Sequence, residues 1–297
     1  MKKLLLTGSS GLVGSRLVEL LADKYELITP DEEELNLLDK DSISSYLKNN
    51  QPDVVLNLAA FTDVNAAEEQ TGDKSGLCWR LNVDGVKLLM ESLPKKTRLI
   101  QVSTDMVFSG DKQDPGPYSE DHPLPSDSKK LTWYGWTKNR GEKLAFDAGH
   151  SVLRIIYPVR LHFEDKADYL RSILNKYSQG NLPPLFSDQV ITLTYIDHLA
   201  SVVSAIVDKN LSGIFHASSS NSTSPFELFK YTLEKLGQDS STIKQSSLKD
   251  YLKTLDNPYR YPLFGGLKTE KSAQVTGVKY FTWQEIIDEL ISQGLSL

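Results

Sequence analysis

The stretch Leu4-Leu5-Leu6-Thr7-Gly8-Ser9-Ser10-Gly11-Leu12-Val13-Gly14 decides the fold. Leu4–Thr7 is a short apolar run that stops at a glycine, so it reads as a buried strand. Apolar residues then recur at helical spacing from Leu12 to Ala22 (Leu12, Val13, Leu17, Leu20, Leu21), so a helix follows at once. Between the two, Gly8 permits a tight turn. Gly11 lets the backbone approach a pyrophosphate with no Cβ in the way, and Gly14 lets the helix pack close to the strand. A helix N-terminus adds free N–H groups and a partial positive charge. Gly8, Ser10, Gly11, Leu12, Val13 and Gly14 are therefore candidate dinucleotide contacts. The plainer alternative is a glycine turn that binds nothing, which the strand-before, helix-after context disfavours.

The alternation continues through the first half of the chain. Tyr25–Thr29, Asp53–Ala59, Arg98–Ser103 and Ser151–Ile156 read as strands. Asp41–Asn49, with Asp41 as a cap, Leu81–Leu93, stopped by Pro94, and Tyr134–Ala148 read as helices. Strands alternating with helices predict an α/β fold, a doubly wound parallel sheet of Rossmann type covered on both faces. Residues 1–156 form the expected dinucleotide-binding domain. Residues 157–297 form a smaller C-terminal substrate-binding lobe, part of which returns to the sheet. That lobe contains predicted helices at 167–178, 196–208, 225–236 and 282–292 and a strand at 213–216. Ser224 and Pro225 open the third of these helices. Residues 238–266 are polar and fit no pattern.

Composition narrows the partners. The 297 residues carry a net charge of −6 with no basic stripe, which argues against nucleic acid, because neutralising phosphates takes clustered cations. No apolar run approaches the roughly 20 residues of a membrane span. The single cysteine, Cys78, excludes an intrachain disulfide and reads as a small, half-buried hydrophobe. His122, His150, His162, His198 and His216 lack metal-ligand spacing and read as surface or cap residues, so no metal is expected. A soluble, cytoplasmic protein is expected, and a homodimer is left open.

Chemistry enters with Tyr134-Gly135-Trp136-Thr137-Lys138. Positions i and i+4 share one face of a helix. An ammonium near a phenol favours the phenolate and brings the tyrosine pKa down, and the pair can then exchange a proton with a substrate oxygen. At the end of the fourth strand, Ser103-Thr104-Asp105 offers a hydroxyl to polarise a carbonyl. Thr104 is favoured by position, with Ser103 close behind on the cofactor side. Leu58, Ala59 and Ala60 end the third strand with residues that let a cofactor approach. Asp31 follows the second strand, where a carboxylate accepts bonds from a ribose, and no base lies between Thr29 and Glu34. The cofactor is therefore NAD or NADP, with NAD favoured, unless Asp31–Glu34 is only a solvated acidic turn. Trp133 and Trp136 flank the tyrosine, one expected in the core and the other bordering the substrate. Asp188 reads as a solvated turn.

The G-x-x-G-x-x-G spacing resembles the extended short-chain dehydrogenase/reductase superfamily. Ser103-Thr104-Asp105-Met106-Val107-Phe108-Ser109-Gly110, Tyr118-Ser119-Glu120-Asp121, Tyr134-Gly135 with Thr137-Lys138, and Gly141-Glu142 resemble its dTDP-4-dehydrorhamnose reductase family. The resemblance implies NAD(P)H-dependent reduction of a 4-keto group on a nucleotide-activated deoxysugar. Tyr134 would be the proton donor, Lys138 its tuner and Thr104 the carbonyl contact. It also makes Asp39 a second adenine-side candidate and Asn82 a helix asparagine bonded to backbone near the site.

The chain departs from that pattern at several points. Met106 stands where the family has tyrosine, and methionine donates no proton. Residues 70–79 look inserted, 126–133 are long, and Ile155-Ile156-Tyr157-Pro158-Val159-Arg160 replaces a small glycine-containing loop. Two other readings remain: a nucleotide-sugar epimerase of the same superfamily, and a non-catalytic dinucleotide-binding regulatory subunit like that of methionine adenosyltransferase.

Overall fold

The computed structural model describes residues 1–297. Its elements run β1 (Lys3–Thr7), α1 (Leu12–Leu21), β2 (Glu26–Ile28), α2 (Lys40–Asn50), β3 (Val54–Asn57), α3 (Val64–Glu68) and α4 (Leu77–Trp79). A π-helical turn (Arg80–Gly85) leads into α5 (Val86–Ser92), β4 (Arg98–Thr104), α6 (Trp133–Asp147) and β5 (Ser151–Ile155). There follow β6 (Pro158–Val159), α7 (Tyr169–Ser178), β7 (Leu185–Phe186), β8 (Thr194–Tyr195), α8 (Ile196–Asp208) and β9 (Gly213–Ala217). The chain ends with α9 (Pro225–Lys235), β10 (Gln245–Ser246), α10 (Leu248–Leu252), α11 (Glu270–Thr276) and α12 (Trp283–Ser292).

Six parallel strands form the main sheet in the order β2-β1-β3-β4-β5-β9. Strands of such a sheet are apolar throughout because helices cover both faces. Leu4 and Leu6 point to the side packed by Leu17 of α1 and Leu199 and Val203 of α8. Leu5 points to the other side, with Ile43 and Leu47 of α2 and Leu89 of α5. Arg16 clamps α1 to α8 through a two-pronged bond to Asp197, at 2.8 and 2.6 Å. A further core joins α7, α9 and α12 around Ile173, Phe229 and Ile287.

Local chemistry moves several boundaries. Asp39, not Asp41, caps α2, accepting from the N–H groups of Asp41 and Ser42. Asp168 caps α7, so that helix starts at Tyr169 rather than Ala167. The helix expected from Leu81 begins at Leu77 and contains the π turn, which places Asn82 inward. Asp188 is no solvated turn: it accepts from Ser247 Oγ and from the N–H groups of Leu248 and Lys249, and so pins α10. The polar stretch 238–266 contains β10 and α10 and is otherwise held by main-chain bonds to distant segments. Phe264 donates to Gly110 O, Gly116 to Phe264 O and Gly265 to Val190 O. No helix is long and apolar enough to cross a membrane.

Candidate active site

A cleft of about 750 Å³ opens at the C-terminal ends of the sheet strands. One wall is made by Gly8, residues 10–14, 58–60 and 103–106, Tyr134 and Lys138. The other is made by Tyr157, Pro158, Phe163, residues 165–169 and 189–191, Pro262 and Gly265. The structure thus brings the glycine loop, the end of β4 and the Tyr134/Lys138 helix face into one space.

The glycine loop is shaped by close approach. Gly8 has φ +65°, and a Cβ there would lie 2.9 Å from Ala59 N. A Cβ on Gly14 would lie 2.2 Å from Gly8 O, so the first turn of α1 packs against the loop only because position 14 has no side chain. At Gly11 a Cβ would meet only Gly8 O, at 3.4 Å, and otherwise open cleft. No side chain caps α1, so its first-turn N–H groups remain available to an anion at the cleft wall.

Helix α6 turns polar groups inward at successive turns: Tyr134, Lys138 and Glu142 are all buried. Thr132 caps the helix through its hydroxyl, which accepts from Gly135 N–H. Lys138 Nζ donates to Val102 O at 2.7 Å, and burial pushes its pKa down to about 8. Tyr134 stands beside the Thr104 hydroxyl. Its pKa is raised, first by burial and then by the nearby Asp105 and Cys78. The expected lowering of the phenol by Lys138 is therefore absent. Desolvation outweighs any help from the ammonium, which is directed at a carbonyl, and the tyrosine is a neutral acid.

Thr104 accepts from Met106 N–H at 3.3 Å and donates to Asp105 Oδ1 at 3.2 Å. Ser103 lies in the cleft wall, but its hydroxyl turns beneath it to Glu142 Oε2. Glu142 in turn holds the fully buried Arg154, at 2.6 Å. Arg154 donates to His216 Nε2, so the proton of this ring sits on Nδ1 and is donated to Lys268 O. His216 is thus a core residue, not a surface one, and burial beside Arg154 drives its pKa well down.

Asp31 and Asp39 are not brought into this cleft. They line a separate depression with Glu32, Glu33, Asn36 and Ser42. Asp31 accepts there from Glu34 N–H, and Asp39 is occupied in capping α2. Neither Trp133 nor Trp136 borders the cleft. Trp133 is buried and stacks on Trp79 with ring centroids 5.7 Å apart, while Trp136 lies under Arg140. The inserted segment and the long loop therefore brace one another, and Glu68 Oε1 receives the Trp133 N–H. Asn82 fixes the neighbouring chain: its side chain exchanges two hydrogen bonds with the Phe61 backbone and donates to Thr137 Oγ1. Cys78 is fully buried, not half-buried, against Thr137.

Several cleft residues carry no signature in the sequence. Asp105 sits inside the quoted Ser103-Thr104-Asp105 run, where attention falls on the hydroxyls. Tyr157 lies on the divergent segment, with φ +39°. Gly265 comes from a loop without periodicity.

Comparison with known proteins agrees with this geometry. The profile of one family, described as RmlD substrate binding domain, matches residues 1–295. A dTDP-4-dehydrorhamnose reductase of Aggregatibacter actinomycetemcomitans is 28% identical over 305 residues, covering 98% of each chain. The crystal structure of the Bacillus anthracis dTDP-4-dehydrorhamnose reductase in complex with NADP superposes with a TM-score of 0.83. It is 20% identical and covers 99% of this chain and 100% of that one. The Bordetella bronchiseptica enzyme WbmH in complex with NAD+ gives a TM-score of 0.75 at 18% identity, with full coverage of both chains. These structural likenesses establish a shared Rossmann-type fold.

Proposed function

The chain belongs to the RmlD substrate binding domain family, and from that membership and the cleft we propose that it is an NAD(P)H-dependent reductase of a dTDP-linked 4-keto deoxysugar. The observation that carries the proposal is that Thr104, Tyr134, Lys138 and the glycine loop share one cleft. The curated relative named above supports the substrate class.

The loop fits a dinucleotide: Gly11 faces open space and the start of α1 is uncapped. Gly8, residues 10–14 and 58–60, and the wall at Ser103 would hold it. When bound, this cofactor supplies the hydride that reduces the 4-carbon. Tyr134, kept neutral by burial, gives its proton to the 4-oxygen as charge develops there. Lys138, held by Val102 O, stabilises the phenolate left behind. Thr104 holds the carbonyl in line. Residues 157–297 supply most of the substrate side, including Tyr157, Phe163 and Gln189. Lys166 is the only lysine of the cleft besides Lys138, no arginine lines it, and Lys166 is the cation assigned to the diphosphate. We place the adenosine ribose outside the cleft, beyond the glycine loop and toward the depression of Asp31, Glu32, Glu33 and Asp39, whose carboxylates would favour NADH over NADPH because a 2′-phosphate beside them would be repelled.

The test is oxidation of NADH and NADPH with a panel of dTDP-4-keto-6-deoxysugars, run with wild type and Tyr134→Phe. The proposal expects one cofactor oxidised per sugar reduced and turnover lost in the variant. Isomerised sugar without net oxidation would instead mark an epimerase. Absence of both, in folded protein, would overturn the enzymatic reading.

A further inference from the structure

Asp105 is a buried carboxyl at the reacting end of the cleft, 6% exposed, with no role in the mechanism above. Its surroundings are unlike those of the other buried acids. Glu142 is neutralised by Arg154, Glu120 is tied to Ser272, and Asp168 caps a helix. Asp105 has no cation: it is met by the Thr104 hydroxyl, by the N–H of Gly266 and by the backbone of its own turn. Tyr134 from α6 and Tyr157 after β5 are the titratable groups that feel its charge. Lys138, on α6, is directed at Val102 O. Gly265 closes the far side, where a Cβ would come within 3.2 Å of Asp105 Oδ2.

The hydroxyl of Thr104 has one proton. As long as Asp105 is a carboxylate, that proton is given to Oδ1 and the hydroxyl has none for a substrate carbonyl. Once Asp105 carries a proton, it can donate to Thr104 Oγ1, and the hydroxyl is free to donate into the cleft. Resting on the reductase reading, we infer that Asp105 is a positioning residue whose protonated form turns Thr104 into a hydrogen-bond donor toward the substrate's keto oxygen. No covalent change is involved, only the direction of two hydrogen bonds. Burial pushes the Asp105 pKa up to about 6, so the switch lies within reach of ordinary pH.

Two measurements test this. The first needs no substrate: pH-difference infrared spectroscopy of the ligand-free protein, following the stretch of a protonated carboxyl. A band titrating near pH 6 should vanish in Asp105→Asn. It should shift to higher pH in Thr104→Val, which removes a donor that favours the carboxylate. No such band, or one indifferent to Thr104→Val, overturns the inference whatever the enzyme does. The second is the pH profile of kcat/KM. Wild type should lose about tenfold per pH unit on the alkaline side of the Asp105 transition. Asp105→Asn, whose amide donates at every pH, should retain turnover and lose that limb, whereas Asp105→Ala should be slow throughout. A limb unchanged in Asp105→Asn, with wild type active, sinks this inference and leaves the reductase reading intact. Wild type inactive on every keto sugar, with the infrared band present, sinks the reductase reading alone.

Discussion

The ammonium of Lys138 lies 2.7 Å from the carbonyl oxygen of Val102, inside the protein rather than at its surface. Folding disfavours its charge, so its pKa falls to about 8 from an unfolded value of about 10.4. Between these values the unfolded chain binds more protons than the folded one. Stability from this group therefore rises with pH across that window, by at most about 1.4 kcal/mol per unit, and is lost again as pH falls to 8. Urea midpoints at about pH 7.5 and pH 9.5 should show a wild-type slope that Lys138→Met lacks. The same variant should lose turnover by on the order of 10²-fold or more, through kcat rather than KM.

Gly11 and Gly14 should fail in different ways. Gly14→Ala drives a methyl against Gly8 O and should cost about 1–3 kcal/mol or more, read as a lowered Tm. Gly11→Asp has room for its Cβ, so the fold should hold while a carboxylate faces the incoming phosphates. Its Tm should stay near wild type and its NADH dissociation constant should rise at least tenfold. Equal loss of stability in both variants would contradict the assignment of Gly11 to the ligand.

Glu142 and Arg154 are the ion pair beneath the site, exposed by 2% and 0% of their side chains. Glu142→Leu strands a buried guanidinium and should cost about 3–5 kcal/mol in urea unfolding. The double variant Glu142→Leu/Arg154→Met should recover much of that loss, because the pair itself is worth far less than one member left alone.

Cofactor preference should respond to the acidic depression. NADH should bind more tightly than NADPH, and Asp31→Arg should narrow or reverse the ratio, read by fluorescence titration. A ratio unmoved by that change would remove Asp31 from the cofactor site.

What the sequence disclosed and what it withheld follow from range. Leu4 to Gly14 is legible because a buried strand, a turn of required geometry and a helix start are all written locally. Tyr134 and Lys138 are legible because helix periodicity alone puts them together. Their charge states are not, because burial sets them, and burial is contributed by distant chain, such as Ala67 and Cys78 packed with Tyr134 and Val102 bonded to Lys138. Tyr157 reaches the cleft from the two-residue gap between β5 and β6, and Gln189 from beside Val190, whose pairing is an isolated bridge to Phe264; neither leaves a period to recognise. Of the two tryptophans beside Tyr134, one is in the core as expected, but neither borders the cleft. The partner of Trp133, Trp79, is visible only once the inserted segment is seen to fold back, whereas Trp136 is covered by Arg140 one turn along the same helix.

The sheet order has a consequence for how the chain comes off the ribosome. β5 is finished at Ile155, but its outer neighbour β9 arrives only at Gly213–Ala217, pairing Arg154 with His216. Until some 60 further residues have emerged, β5 is a bare edge, and the guanidinium of Arg154 lacks the imidazole that meets it. The first 156 residues expressed alone should therefore self-associate through that edge rather than fold as a stable monomer. The glycine loop is synthesised well before β9, so the scaffold that holds it stays unsealed until β9 has emerged.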